Sequence, residues 1–124
     1  MNAERAEQIT KDAVDTFGIT NQLDMVVEEC GELIQAINKT KRTFKSTQLK
    51  DIKNGKPFDS VKTALAYGDI CSEIADVKIM IKQLEHIFSP EHISVSEERK
   101  LDRLAKRIED FKNKISQETG DNKS

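Results

Sequence analysis

Tryptophan is absent from this 124-residue chain, tyrosine occurs once, and only two prolines interrupt it. With 34% charged and 36% hydrophobic residues, that balance belongs to long, solvated, amphipathic helices, and all-α is the expected class. No apolar run approaches the roughly 18 residues that cross a bilayer. The start, "MNAERAEQIT", lacks the basic and apolar stretches of a signal peptide, so a cytoplasmic protein without a membrane partner is expected. A net charge of -2 gives no overall attraction to nucleic acid or anionic lipid, so any electrostatic function must be local. Cysteine is scarce too. Cys30 and Cys71 form no C-x-x-C pair, a cytosolic location disfavours a disulfide, and both are expected as small core-packing residues. There is no Gly-rich phosphate loop, no G-x-S-x-G, no H-E-x-x-H and no solenoid-length repeat, which leaves most familiar enzyme chemistries without their parts.

What is present is helical periodicity. A first helix is expected from about Ala3 to Phe17, with Ile9, Ala13, Val14 and Phe17 on one side and Gly18 as its stop. A second begins at Thr20 or Asn21 and reaches about Lys39. Its inward stripe is expected to hold Leu23, Val26, Val27, Cys30, Leu33, Ile34 and Ile37. From Lys41 to Asp59 the pattern dissolves into a Lys-rich loop with Asn54-Gly55 and Pro57, with room for one short helical turn around Leu49 to Ile52. Asp59 or Ser60 can cap a third helix to about Phe88, buried along Ala66, Ile70, Ile74, Val77, Ile81 and Leu84. "SPEHISVS" reads as a break. A fourth helix, about Ser96 to Ile115, carries a narrow seam at alternating three and four spacing. The expectation is a bundle of about four helices, two of them long and antiparallel, forming a single domain over residues 1–116 with a polar tail over 117–124.

Acids border the two longest stripes. Residues on a helix turn by about 100° each, so Glu29 and Glu32 lie within roughly 60° of one another and one turn apart, at the edge of the second helix's apolar arc. Glu28 is nearer to solvent. Glu73 and Asp76 repeat that geometry on the third helix, and Asp69 precedes Glu73 by one turn, either as a supporting partner or as an ordinary exposed acid. If the two helices pack antiparallel, four carboxylates face each other across a groove about 8–10 Å between axes. Crowded, partly desolvated carboxylates repel unless a cation neutralises them. All-oxygen ligation suits Mg²⁺ or Mn²⁺. Neither His86 nor His92 completes an E-x-x-H motif, which argues against a di-iron bundle. One E-x-x-E on a charged helix is ordinarily solvated surface; two pairs, each bordering a core stripe, point to a site.

"EECGELIQAINK" followed by "EIADVKIM" resembles the MazG-like nucleoside triphosphate pyrophosphohydrolases, closest in style to the small members from phages and prophages. The resemblance covers the second, third and fourth helices. It departs in spacing, because about forty residues separate Glu32 from Glu73 and the excess falls in the Lys-rich loop. The resemblance implies that Glu29, Glu32, Glu73 and Asp76 hold Mg²⁺, that Glu29 or Glu32 activates water, and that a nucleoside or deoxynucleoside triphosphate is cleaved between its α and β phosphates. Lys39, Lys41, Arg42 and Lys45 would supply fixed positive charge to the phosphates, and Asn38 a contact to sugar or base. The family commonly builds its site from more than one chain, so a homodimer or homotetramer is expected. The competing reading is a non-catalytic helical interaction or regulatory module that keeps the same fold.

Overall fold

A computed structural model describes residues 1–121, and these form five helices with no strand among them. Helix α1, Ala3–Phe17, starts where the Asn2 side chain accepts the Arg5 backbone N–H at 2.8 Å. It ends at Gly18, whose φ of 88° and ψ of 152° lie in backbone territory open essentially to glycine alone. That single residue turns the chain into α2, Ile19–Thr43.

The second helix outlasts its expected end by a turn. Thr40 and Thr43 return their hydroxyls to the carbonyls of Ala36 and Lys39, and the buried Phe44 closes the helix by donating its N–H to Thr40. The expected loop then holds a two-turn helix, α3, Ser46–Lys53, in which Gln48 accepts the Lys45 N–H at 2.7 Å. Gly55, at φ 97°, turns the chain out of it.

Helix α4, Val61–Ile87, begins with a reciprocal cap: Ser60 Oγ accepts the Thr63 N–H while Thr63 Oγ1 accepts the Ser60 N–H, each at 3.2 Å. The break expected over "SPEHISVS" is shorter than read: only Phe88 and Ser89 separate α4 from α5, Pro90–Asp121, which takes in the rest of that stretch. Pro90 occupies the first helical position, where its missing N–H costs nothing, and Ser89 Oγ accepts the His92 N–H at 3.3 Å. Residues 117–121 of the expected tail continue α5, and the rest of that tail lies outside the described residues.

The chain divides into two compact units, Met1–Ile87 with α1 to α4 and the segment from Phe88 onward with α5. In the first unit, α2 and α4 run antiparallel: Gln22 near one end of α2 donates to Gln83 near the far end of α4, while Lys39 meets Asp69. Helix α1 lies against α4 and more lightly against α2. Buried apolar side chains are few, namely Val14, Phe44, Ala66, Ile70 and Met80. Tyr67 stands edge-on to Phe44, ring centroids 6.3 Å apart, and beside Phe58 at 5.5 Å, which ties the segment after α3 to α4. No helix among the described residues is long and apolar enough to cross a membrane.

Several residues expected inside are outside. Val27, Ile34, Ile37, Ile74 and Ile81 are exposed, as are Ile9 and Phe17 of α1. Cys71 is also exposed and Cys30 only half-buried, so Cys71 is not the core-packing residue the composition suggested. The reason is geometric for α2: its apolar arc is broader than one neighbour can cover. Val26, Leu33 and Ala36 on one side of the arc are half-covered, whereas Val27 and Ile34 on the other side are largely exposed.

Candidate metal centre

The antiparallel packing of α2 on α4 sets the middle of one helix against the middle of the other. Glu29 and Glu32 come from α2 and Glu73 from α4, and each offers a carboxylate oxygen such that all three lie within 4.8 Å of one another. Glu29 and Glu73 are half-buried and Glu32 is exposed. Helical spacing explains the grouping: residues three apart project on one side of α2, and the register places Glu73 opposite them. Asp76 is half-buried one turn further along α4 and stands outside this closest set. Its charge nevertheless acts on both Glu29 and Glu73.

The electrostatics are unfavourable to an unaccompanied cluster. Burial pushes the Glu29 carboxyl above its ordinary value, and the neighbouring charges of Glu32, Asp76 and Glu73 push it the same way. Glu73 is raised by burial first and then by Glu32, Asp76 and Asp69. One oxygen of Glu29 and one of Glu73 are shielded from water with no hydrogen-bond partner. Buried carboxylate oxygens are rarely left so, because an unpaired one forfeits its hydration without return. Neither ion pair of the described residues, Lys39–Asp69 at 4.0 Å or Lys56–Asp51 at 3.7 Å, reaches the three acids. Protons or a cation would satisfy the orphaned oxygens, and among cations a donor set of carboxylates alone suits a hard divalent ion better than zinc.

A cavity of about 290 Å³ opens beside the cluster, lined by Glu32, Gln35, Lys39, Asp69, Ser72 and Glu73 among others. Lys39 is therefore the one expected phosphate-binding cation on this wall. Asn38, Lys41 and Arg42 do not line it. The extension of α2 to Thr43 explains the absence of Lys41 and Arg42, since residues expected in a pliable loop are instead fixed at helical angles, whereas Asn38, helical as expected, projects from another side of α2. Lys39 falls about 20° from Glu32 around the helix, whereas Arg42 falls about 80° away, Asn38 about 120° and Lys41 about 180°. Lys45, just beyond α2, is exposed and is likewise no part of this lining.

Sequence reasoning passed over Gln35 and Ser72. Both carried a usable signal: Gln35 lies three residues after Glu32, and Ser72 adjoins Glu73. Asp69, left open between a supporting and a solvent-exposed role, is exposed, pairs with Lys39 and lines the cavity. Three carboxylates beside a cavity with one lysine can hold a divalent ion and present it to a polyanion. No family model matches this chain, and no curated protein and no solved structure matches it either.

Proposed function

We propose that the chain is a Mg²⁺-dependent, MazG-like nucleoside triphosphate pyrophosphohydrolase acting on cytoplasmic nucleoside or deoxynucleoside triphosphates, with Mn²⁺ able to replace Mg²⁺. The observation that carries the reading is the pair of shielded, unpartnered oxygens on Glu29 and Glu73, set with Glu32 inside 4.8 Å. Glu29, Glu32 and Glu73 would hold the ion, and Asp76 would add its charge from the next turn. Mg²⁺, when bound, supplies Lewis acidity and offsets the charge on phosphate oxygens.

Lys39 on the cavity wall meets the phosphate chain as a point charge, exchanging its exposed partner Asp69 for the substrate. Glu32 is the exposed member of the set, so it orients the attacking water and accepts its proton. The water oxygen becomes a phosphate oxygen of one product as the α–β anhydride P–O bond breaks, giving nucleoside monophosphate and pyrophosphate. Because the cavity is open and Lys39 is its single cation, walls supplied by further copies, two or four in all, complete the substrate site.

The test is a panel of nucleoside triphosphates incubated with Mg²⁺, with pyrophosphate and monophosphate measured together. Equal amounts of the two are expected, and Glu32→Gln and Asp76→Asn are expected to abolish them while helical circular dichroism persists. Orthophosphate as the product, or full turnover by both variants, refutes the assignment.

A further inference from the structure

Several helices leave apolar residues exposed, and one such face on α2 matches one on α5. On α2 the residues Leu23, Val27, Cys30, Ile34 and Ile37 recur at spacings of four and three over 14 positions. Val27 is 73% exposed, Ile34 61% and Ile37 44%, while Leu23 and Cys30 are half-buried between them. On α5 the residues Leu101, Leu104, Ile108, Phe111 and Ile115 recur at three and four, also over 14 positions, with Leu101 57% and Phe111 63% exposed. Each stripe is about 21 Å long at 1.5 Å per residue. Alternating three and four spacing is the pattern that lets two helices interlock knob into hole.

We propose that α5 of one copy docks antiparallel on the exposed seam of α2 in a second copy of this chain. Read backwards, the α5 stripe has the same spacing as the α2 stripe read forwards. Every apolar position of one therefore meets an apolar position of the other. Val27 layers with Phe111 of the second copy, Cys30 with Ile108, and Ile34 with Leu104, while Leu23 and Ile37 close the two ends against Ile115 and Leu101.

The flanks decide the register. In an antiparallel pair, residues just beyond the seam face their counterparts, which sets Asp24 against Lys112 of the second copy, Gly31 against Ala105, and Asn38 against Glu98. These are an opposite-charge pair, a close approach of two small residues and a hydrogen-bonding pair. On the other flank Lys100, Arg107 and Lys114 lie over Thr40, Leu33 and Val26, where no like charge opposes them and their aliphatic stems cover half-buried apolar surface. Two α5 helices pairing with each other lack this fit. A parallel pair sets Arg107 against Lys112, and an antiparallel pair sets Arg107 against either Lys114 or itself.

The helix must come from another copy. Since α2 and α4 are antiparallel, the register carries the start of α5 past the Lys39 end of α2, whereas α4 finishes at the Gln22 end. The separation is about 40 Å along the bundle. Phe88 and Ser89, the two residues between α4 and α5, bridge at most roughly 11 Å. The inference gives a surface to the assembly invoked for the substrate site, yet it rests on the seams and not on the reaction.

Sedimentation of the full chain, without nucleotide, tests it. Self-association is expected. Asp24→Lys alone and Lys112→Asp alone should each weaken it about tenfold, and the two substitutions in one chain should restore it to within about threefold. In a Cys71→Ser background, Ile108→Cys should yield a cross-link to Cys30 of another copy with a short bismaleimide, whereas Lys106→Cys, on the opposite side of α5, should not. A monomeric wild type, failure of the double swap to recover association, or equal cross-linking from the Lys106 variant overturns the proposal. A monomer that still releases pyrophosphate removes this interface and leaves the reaction standing; an associating chain with no turnover does the reverse.

Discussion

Gln83→Leu should destabilise the protein more than its surface cost suggests, and adding Gln22→Leu should recover most of the loss. Both glutamines are buried, at 5% and 7% exposure, and the Gln22 amide N–H donates to the Gln83 carbonyl oxygen across the α2–α4 contact. Gln83 also turns its own amide toward the Met80 sulfur at 3.8 Å. Replacing Gln83 alone removes one neutral hydrogen bond, about 1 kcal/mol net, and strands the Gln22 amide in a place that water barely reaches, a further ~1–3 kcal/mol. Leucine at position 83 regains part of this by burying methyl groups, so a net loss of about 2 kcal/mol is expected. Gln22→Leu alone strands the Gln83 carbonyl at a similar cost, and removing both polar partners should leave the pair within about 1 kcal/mol of wild type, a coupling of roughly 3 kcal/mol.

Urea unfolding is the assay. With a slope near 1–2 kcal/mol/M, the single variant should lose about 1–2 M in midpoint. A loss under about 0.5 kcal/mol for Gln83→Leu, or additive losses in the double variant, would refute the reasoning. The pair also bears on the site. Gln22 lies ten residues before Glu32 and Gln83 ten residues after Glu73, so the amides and the acids share one register about 15 Å apart. A leucine pair does not penalise a one-turn slip, which moves Glu32 from Glu73 by about 5.4 Å. We therefore expect the double variant to bind Mg²⁺ more weakly at nearly unchanged stability, which calorimetry reads directly.

The remaining expectations are briefer. Because the carboxyls of Glu29 and Glu73 are raised in the folded state, the metal-free protein binds more protons folded than unfolded, so its stability should fall as pH rises from 4.5 to the raised values and then level off. Urea midpoints across pH 4 to 8 check this, and Glu73→Gln should flatten the trend. Protons compete with a cation for the same oxygens, so stabilisation by Mg²⁺ in thermal scans should be largest at alkaline pH and shrink on acidification, with chelator reversing it. Lys39→Ala should raise the KM for a nucleoside triphosphate while changing stability by less than about 1 kcal/mol, because its bridge to Asp69 is exposed; Lys41→Ala should leave KM unchanged. Gly18→Ala, in open space but at φ 88°, should cost about 1–3 kcal/mol in thermal or urea unfolding through backbone strain alone.

What could be read in the sequence, and what could not, follows from the range of each interaction. The span of α1, the glycine that ends it and the grouping of Glu29 with Glu32 are set by neighbours three or four residues away, and all are legible in the pattern. Bringing Glu73 to the same place needs the α2–α4 register. That register is written partly in Gln22 and Gln83, whose polar side chains give no periodic signal until the helices are side by side. The apolar pattern stops at about Lys39, four residues before α2 does: from Lys39 to Thr43, hydroxyls bonded back to the preceding turn and the burial of Phe44 carry the helix onward. That extra turn fixes Lys41 and Arg42 at angles turned from the cavity and leaves Lys39 as the cation that faces it. The exposed Val27 and Ile34 belong to the same lesson. Hydrophobic periodicity marks the apolar arc of a helix but not how much of it a neighbour covers, and on α2 the arc runs on past the covered side to Val27 and Ile34.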